Sequence, residues 1–297
     1  MKVTNKYGLP EPLYALANKQ YYSKGDADYS VTEIISPPRI QRLRKRHDHE
    51  MEVDVTDMWW SIVGSALHVV MERSVVENFQ NEERLVTEIN GVRLSGAIDV
   101  QQVDEDGIVI MDYKFTSAWA LMNEKPEWAE QQNIYGYLVQ KVKGKPVKGL
   151  KIIAIVRDWS RREAERKDTY PQSPIQVVDI PIWDASFTED FIKRRVEMHR
   201  DSKVSADWGD ELPSCTDEDR WMREPKFAVK KEGRKTAVRV FDTMTEASEL
   251  LDSMPAKDKG FIEIRKAEPI RCTGDYCGVS KWCSQHQSYL KEQQNEQ

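Results

Sequence analysis

The chain has 297 residues, of which 39% are hydrophobic and 32% are charged, and its formal net charge is −6. This composition predicts a soluble protein with one large domain, or with one domain and an added module. It argues against a protein that coats nucleic acid through bulk positive charge, although a localised basic groove is compatible with it. No apolar run approaches the roughly 20 residues of a membrane helix, and the N-terminus lacks the apolar segment of a secretory signal. We therefore expect no membrane partner and a cytoplasmic or equivalent reducing location.

The N-terminal part predicts an irregular segment followed by helices. Residues 1–30 are rich in tyrosine and polar side chains and are expected to be irregular. Residues 30–47, SVTEIISPPRIQRLRKRH, predict a short capped helix, a break at the double proline and then a basic helix. Residues 56–79 have strong helical periodicity, with Thr56 or Asp57 as the N-cap.

The central part predicts strands followed by a helix and a further strand. The run 84–89 ends at Asn90-Gly91, which is a strong two-residue hairpin signal. Strands are predicted over 92–103 and 108–115, a helix over 125–144 and a strand over 149–159. A strand, a helix and a strand in this order favour an α/β sheet with a crossover connection. Another strand (177–183) and another helix (185–204) are predicted beyond.

A small module is predicted in the C-terminal third. A hairpin over 226–242, a threonine-capped helix over 243–254 and a strand over 260–270 make a ββαβ unit. The four cysteines flank this unit, with Cys215 before it and Cys272, Cys277 and Cys283 after it.

Two adjacent strands carry charge among apolar residues. Side chains alternate faces along a strand, so Asp112 and Lys114 share a face with Ile108 and Ile110, and the hairpin can bring Asp99 beside Asp112. Two carboxylates at such range repel unless one is protonated or a cation bridges them. Bound Mg²⁺ or Mn²⁺ would resolve the conflict, because hard cations prefer oxygen ligands. The alternative is a pair of aspartates at strand ends beside an exposed lysine.

Four motifs in order carry a family resemblance. They are GSALH (64–68), GAID (96–99), DYK (112–114) and QQNIY (131–135). They resemble the Gly-x-x-x-His, Gly-x-x-Asp, Asp-x-Lys and Gln-x-x-x-Tyr motifs of the PD-(D/E)XK nucleases. Within that superfamily they are similar to the RecB-type exonuclease branch, which includes the RecB and AddB nuclease domains and the CRISPR-adaptation nucleases, and to its phage-type members. Each motif alone is weak evidence for the family. The order and spacing of the four motifs within residues 30–160 make the resemblance strong.

The resemblance implies a role for each motif residue. The implied ligands of Mg²⁺ or Mn²⁺ are His68, Asp99, Asp112 and the backbone carbonyl of Tyr113. The implied catalytic residues are Asp99, Asp112, Lys114, Gln131 and Tyr135. Lys114 would position the attacking water, and Gln131 and Tyr135 would contact the DNA strand. Helical spacing agrees, because residues four apart share one face of a helix.

The resemblance also implies a fold and a function. The fold is α/β, a restriction-endonuclease-like mixed central sheet flanked by helices, with a ββαβ insertion and a Cys-rich C-terminal segment. We expect an irregular segment (1–30), a nuclease core (31–205), an inserted module (206–271) and a metal-binding segment with a tail (272–297). The implied function is a metal-dependent DNA nuclease, more an exonuclease than an endonuclease, in recombination, repair or phage DNA metabolism. The alternative is a non-catalytic DNA-binding or adaptor protein on the same fold.

The expected partner is DNA, as single strands or duplex ends. The basic segment 39–47, with five Arg or Lys, is expected to contribute to DNA binding, and the alternative is a solvated helix face. No Walker A motif is present, so a helicase, like a recombinase or a single-strand-binding protein, would be a separate partner.

The cysteines predict a second metal centre. Several RecB-type nucleases carry a four-cysteine iron–sulfur cluster with three cysteines grouped after the nuclease motifs, and the C-terminal group CTGDYCGVSKWC resembles that pattern. In those relatives the first cysteine usually precedes the nuclease motifs, whereas here it would be Cys215. Four thiolates suit a [4Fe–4S] cluster or Zn²⁺ alike. His286 as an alternative ligand and reduced thiols without metal remain open.

Overall fold

The computed structural model describes residues 1–18 and 24–295, and it consists of two compact units. The first unit comprises Met1–Gln41 and Arg46–Asp210, and the second comprises Arg42–Lys45 and the residues from Glu211 onward. The elements up to residue 210 are, in chain order, β1 (Lys2–Thr4), α1 (Glu11–Ala17), β2 (Tyr29–Ser30), α2 (Val31–Ile35), α3 (Pro38–His47), β3 (Glu52–Asp54), α4 (Trp59–Glu72), β4 (Phe79–Ile89), β5 (Val92–Asp104), β6 (Gly107–Thr116), α5 (Ala118–Met122), α6 (Pro126–Lys143), β7 (Val147–Val156), α7 (Arg161–Ala164), β8 (Ile175–Ile180) and α8 (Ala185–Trp208).

A six-stranded mixed sheet forms the centre of the first unit. Its strand order is β2-β5-β6-β7-β8, and β4 pairs with β5. The β4–β5, β5–β6 and β7–β8 pairs are antiparallel, whereas β6 and β7 are parallel. The parallel pair needs a crossover connection, and α6 supplies it. The predicted mixed central sheet flanked by helices is confirmed.

Local sequence explains the hairpin and the crossover helix. Asn90 and Gly91 both have positive φ, 53° and 68°, the combination that a type I′ hairpin requires. At the other end of the crossover, Gly144 ends α6 in the left-handed conformation, and its N–H donates to Gln140 O. Gly is favoured there because it lacks the Cβ that crowds this conformation.

The core of the first unit lies between the sheet and α6. Ile98, Ile108, Ile134, Leu138 and Leu150 are each at most 2% exposed and belong to one apolar cluster. These residues come from β5, β6, α6 and β7. Burial of one branched apolar side chain stabilises a fold by about 1.5–3 kcal/mol, so this cluster fixes α6 against the strands that carry the motifs.

The helix predicted over 56–79 is shorter in the structure, spanning Trp59–Glu72. Neither Thr56 nor Asp57 caps it. The Thr56 hydroxyl and amide instead donate to Asp54 Oδ1, at 2.8 and 3.1 Å. At the other end, residues 79–81 pair with residues 100–102 of β5, so β4 begins five residues before the predicted strand.

The N-terminal segment contains regular structure, contrary to the irregular segment expected over residues 1–30. β1 pairs in parallel with β3, with Lys2 opposite Glu52. α2 has the predicted cap: Glu33 N donates to Ser30 Oγ, and Ser30 N donates to the Glu33 carboxylate. In α3, Arg39 is buried, whereas residues 44–46 of the basic segment are exposed.

The second unit contains the predicted ββαβ module and the cysteines. Its elements are α9 (Asp217–Arg220), β9 (Met222–Arg223), β10 (Lys226–Lys231), β11 (Arg239–Phe241), α10 (Met244–Ser253), β12 (Gly260–Arg265), β13 (Glu268–Pro269), α11 (Ile270–Thr273) and α12 (Ser284–Asn295). The strand order of the module is β11-β10-β12, and α10 packs against this sheet. β9 pairs with β13, so the module begins and ends at the same place.

Candidate active site

The two carboxylates lie where β5 and β6 separate. The β5–β6 ladder ends at the pair Val100–Met111, so Asp99 and Asp112 are the next opposed residues. β4 pairs along one edge of β5. β2, which pairs with residues 94–95, and β6 therefore both pair along the opposite edge of β5. Residues 96–99 therefore face a gap in the sheet, where side chains can converge.

A glycine in β5 allows α6 to approach this gap. A Cβ added at Gly96 would lie 2.6 Å from Leu138 Cδ1 and 2.8 Å from Tyr135 Cε1. Both side chains are buried in the core, so neither can move aside easily. The glycine of the GAID motif thus places α6, and the polar side chains on its inner face, beside β5.

Asp112, Lys114, Gln131 and Tyr135 form one network. Lys114 Nζ donates to Gln131 Oε1 at 2.9 Å and lies 2.6 Å from Asp112 Oδ2 as an ion pair. Gln131 Nε2 donates to Tyr135 Oη at 2.8 Å and to Asp112 Oδ1 at 3.4 Å. The structure therefore brings together the residues predicted from the DYK and QQNIY motifs.

Asp112 is buried and depends on a neighbouring cation for charge balance. The residue is 2% exposed, and its Oδ2 atom lies 2.6 Å from the Lys114 ammonium as an ion pair, with no further hydrogen-bond partner among the described residues. A buried carboxylate is costly unless it is paired, and an oxygen with spare acceptor capacity can also take a metal ion.

His68, Asp99 and Glu82 meet on the other side of the gap. His68 Nδ1 lies 3.6 Å from Asp99 Oδ2 and 3.5 Å from Glu82 Oε1. Asp99 Oδ2 also accepts the backbone N–H of Tyr113 at 2.8 Å. Within the described ranges these three residues are the one group of three possible ligands whose donor atoms lie within 4.8 Å of one another.

Sequence reasoning missed Glu82. This residue lies at a break in the β4–β5 ladder, between the pairs Asn81–Val100 and Glu83–Ile98, and its backbone is left-handed, with φ of 49°. A non-glycine residue rarely adopts that conformation. No motif or hydrophobic alternation identifies Glu82, because its position depends on the register between two strands.

The electrostatics of the site reflect crowded carboxylates. Burial, with the Asp112 charge in second place, raises the pKa of Asp99 to about 7, against the opposing effect of His68. The Glu82 carboxylate raises the pKa of His68, and burial opposes this shift. Without a cation, protonation of Asp99 therefore relieves part of the repulsion in the gap.

Helix α4 reaches the gap from the face of β6 opposite to α6. The His68 ring packs edge-on against the Tyr113 ring, with centroids 6.1 Å apart. One turn earlier, a Cβ at Gly64 would lie 3.8 Å from Phe115 Cβ. Tyr113 and Phe115 share the α4 face of β6, whereas Asp112 and Lys114 face α6.

Comparison with known proteins decides the family. The sequence matches the family model of the PD-(D/E)XK nuclease superfamily over residues 30–284. The chain belongs to the PD-(D/E)XK nuclease superfamily. The similar solved structures include the crystal structure of SSO0001, with a TM-score of 0.41 and 16% identity over 63% of this chain and 82% of that chain. No curated protein matches the chain.

The donor atoms of this PD-(D/E)XK site fit a divalent metal ion. An imidazole nitrogen and two carboxylates converge at the gap, and Asp112 adds a further carboxylate. Oxygen-rich sites of this kind suit Mg²⁺ or Mn²⁺. Lys114 forms an ion pair with Asp112, and His68 lies 3.6 Å from Asp99.

The predicted cysteine ligands of the PD-(D/E)XK chain lie in the second unit. Cys215 is joined to the start of α12 by Gln285, which accepts from Cys215 N at 2.9 Å and donates to Cys215 O at 3.0 Å. Burial, then the neighbouring Cys277 and Cys283, raise the pKa of Cys272 to about 11. Cys277 and Cys283 therefore lie near Cys272, and Cys215 lies beside Gln285, which is two residues after Cys283 in the chain.

Among the residues that the structure describes, no helix combines the length and the hydropathy needed to cross a membrane.

Proposed function

We propose that this PD-(D/E)XK protein is an Mg²⁺- or Mn²⁺-dependent deoxyribonuclease that hydrolyses phosphodiester bonds. The observation that carries the proposal is the gap between β5 and β6. It holds two buried carboxylates, Asp99 and Asp112, close enough for the Asp112 charge to raise the pKa of Asp99, and it places Lys114 beside them. A structural ion pair needs one carboxylate and one ammonium, whereas a second buried carboxylate with a raised pKa is typical of a functional site.

The residues of the gap divide into two proposed roles. His68, Asp99 and Asp112 would hold the metal ion, with Glu82 as an additional ligand or as a partner of the His68 ring. The Tyr113 carbonyl remains a proposed ligand, although the described contact of Tyr113 with Asp99 is made by its N–H. A divalent ion, when bound, lowers the pKa of water and neutralises charge that develops on phosphate.

Lys114 would act on the water and the scissile phosphate. Its Nζ atom is held between Asp112 and Gln131, so its position is set before substrate arrives. A fixed ammonium group there orients the attacking water and stabilises the charge on the phosphate oxygens in the transition state. Gln131 is in turn oriented by Tyr135, which supports a positioning role for both residues of the QQNIY motif.

The RecB-type branch and an exonuclease activity are proposed from the motifs. The histidine of GSALH and the glutamine and tyrosine of QQNIY are features of that branch, and all three side chains lie at the gap. We propose single strands or duplex ends as the substrate, in recombination, repair or phage DNA metabolism. A helicase, recombinase or single-strand-binding protein acting with it, and a cytoplasmic location, stay predictions.

The cysteines are proposed to hold a [4Fe–4S] cluster, with Zn²⁺ as the alternative. The support for either centre is that Cys277 and Cys283 lie close enough to Cys272 to raise its pKa and that Cys215 is hydrogen-bonded to Gln285, two residues after Cys283. Four thiolates suit either metal centre. The proposed inserted module, residues 206–271, would then be closed at its base by this centre.

Digestion of end-labelled DNA tests the proposed activity. Single-stranded and duplex DNA labelled at the 5′ or the 3′ end would be incubated with Mg²⁺ or Mn²⁺ and with EDTA. We expect metal-dependent cleavage that EDTA stops, with mononucleotide or short products from one labelled end. A protein that binds these DNAs but cleaves none of them with either metal would instead be the non-catalytic DNA-binding protein.

A further inference from the structure

An exposed tryptophan lies next to the proposed nuclease site. Trp60, in the first turn of α4, is 50% exposed. It shares a helix face with Gly64 and His68, which follow at successive turns. Those two residues already hold α4 against β6, so packing does not require an indole at position 60. A single exposed tryptophan is common on a protein surface, and Trp60 is distinguished by its contacts and by its place on the helix that carries His68.

Trp60 is held in a defined orientation. Its ring lies 6.0 Å from the Phe115 ring, at an interplanar angle of 45°. The Arg157 guanidinium lies over the Trp60 ring, 5.2 Å from its centroid. The backbone N–H of Arg157 donates to the backbone O of Thr116 at 2.8 Å. Two side chains therefore support one part of the indole, and half of its surface remains accessible.

The position of Trp60 relative to the gap suits a strand of DNA. Eight residues of α4 separate Trp60 from His68, which corresponds to about 12 Å along the helix axis. About four stacked nucleotides, at about 3.4 Å each, span that distance. A strand whose phosphate lies at the gap can therefore place a base a few nucleotides away on the indole.

The chemistry of the surface selects unpaired bases. Base–aromatic stacking needs an accessible base face, which single-stranded DNA offers at every nucleotide and duplex DNA offers only at its ends. Arg157 adds a positive charge beside the ring, which favours the sugar–phosphate backbone. The same combination recurs three residues after β6, where Trp119 is 58% exposed and Lys125 Nζ lies 4.7 Å over its ring.

We propose that Trp60, supported by Arg157 and Phe115, is a stacking platform for an unpaired base of the substrate, and that it makes this protein specific for single-stranded DNA. The proposal rests on the proposed nuclease function, because it places the scissile phosphate at the gap. It adds a specificity residue outside the metal ligands and the four motifs.

Binding to oligonucleotides with and without bases tests the platform. The probes are a labelled oligothymidylate and an abasic chain of the same length and charge, with Ca²⁺ in place of Mg²⁺ to prevent hydrolysis. Wild-type protein should bind the abasic chain about 5- to 100-fold more weakly. Trp60→Leu should bind oligothymidylate more weakly than the wild type by a similar factor. Removal of the bases should then lower the affinity of this variant much less than that of the wild type, because the substitution and the loss of the bases remove the same stacking contact. Trp60→Phe should keep most of the affinity.

Trp221 provides the matched control. It is 46% exposed and carries the Arg271 guanidinium 5.1 Å over its ring, but it belongs to the second unit. Trp221→Leu should bind both probes like the wild type. Covalently closed circular duplex DNA, which has no terminal base face, should bind Trp60→Leu as it binds the wild type. Equal weakening by the two leucine variants, or equal weakening of duplex binding, would overturn the proposal.

The two proposals fail in different ways. If wild-type protein binds oligothymidylate and the abasic chain equally, the platform is refuted whatever the variants do, and metal-dependent cleavage still stands. If binding depends on Trp60 and on the bases, but no DNA is cleaved with Mg²⁺ or Mn²⁺, the platform stands and the nuclease assignment fails.

Discussion

Asp99→Asn should make the stability of the metal-free protein less sensitive to pH. The asparagine has the same shape, and its carbonyl can still accept the Tyr113 N–H bond. The charge, however, is gone. Aspartate titrates near 3.9 in an unfolded chain, whereas burial and Asp112 raise the pKa of Asp99 to about 7 in the folded protein. The folded state therefore binds more protons than the unfolded state between these values, and stability falls as the pH rises through them.

The size of the effect follows from the two pKa values. Ionised Asp99 costs the folded state about 4 kcal/mol above pH 8, of which roughly 2 to 3 kcal/mol develops between pH 5 and pH 8. Urea unfolding in EDTA at these two pH values measures it. The free energy of unfolding of the variant, relative to that of the wild type, should therefore be higher at pH 8 than at pH 5 by this amount. Glu82, more than Asp99, raises the pKa of His68, so the contribution of His68 is largely common to both proteins and the difference between them is the test.

A control and a refuting result complete this experiment. Asp106 lies in the exposed turn before β6, where its ion pair with Lys148 lowers its pKa. Asp106→Asn should therefore give no relative gain at pH 8. If the stabilities of wild type and Asp99→Asn change in parallel from pH 5 to pH 8, Asp99 is not held near Asp112 in a dry site.

Three further predictions concern packing, metal binding and the second unit. Gly96→Ala should destabilise the fold by about 1–3 kcal/mol in urea unfolding, because its Cβ would overlap α6. Gly136→Ala is the control: its Cβ meets no atom closer than 3.7 Å, so the change should be neutral or stabilising by up to about 1 kcal/mol. Equal destabilisation by the two variants would contradict the close approach at residue 96. Glu82→Gln should weaken Mn²⁺ binding in calorimetry if this carboxylate is a ligand or holds His68, and unchanged affinity would exclude both roles. Cys215→Ser should speed proteolysis of the C-terminal third and bleach the brown colour expected of anaerobically purified protein. If the wild-type protein is colourless and metal-free and is digested at the same rate as the variant, the four cysteines are thiols that share no metal centre.

Much of the fold follows from short-range signals in the sequence. Asn90-Gly91 defines the hairpin because both residues tolerate positive φ. The Ser30 and Glu33 capping box defines the start of α2 because its bonds are local. The GAID and DYK motifs could be placed on adjacent strands for the same reason, since a short turn sets their register.

Features that depend on distant pairing could not be predicted. The β1–β3 pair joins residues about 50 positions apart, and neither strand has a strong pattern of its own. Glu82 reaches the site only because a left-handed residue in β4 falls at a break in the β4–β5 ladder. The contact of Trp60 with Phe115 depends on how α4 lies across the sheet, which helical periodicity does not determine.

The most direct test of the account is DNA cleavage by Lys114→Ala. With saturating Mn²⁺ and labelled single-stranded DNA, we expect the single-turnover rate to fall about 100-fold or more. The variant should bind Mn²⁺ at least as tightly as the wild type and stay folded at saturating Mn²⁺, because the ion replaces the charge that Lys114 places beside Asp112. Lys148→Ala, which removes an exposed lysine paired with Asp106, should cleave at the wild-type rate. Wild-type cleavage by Lys114→Ala, or a loss of activity explained by lost Mn²⁺ binding, would contradict the assignment of Lys114 as the residue that acts on the water and the phosphate.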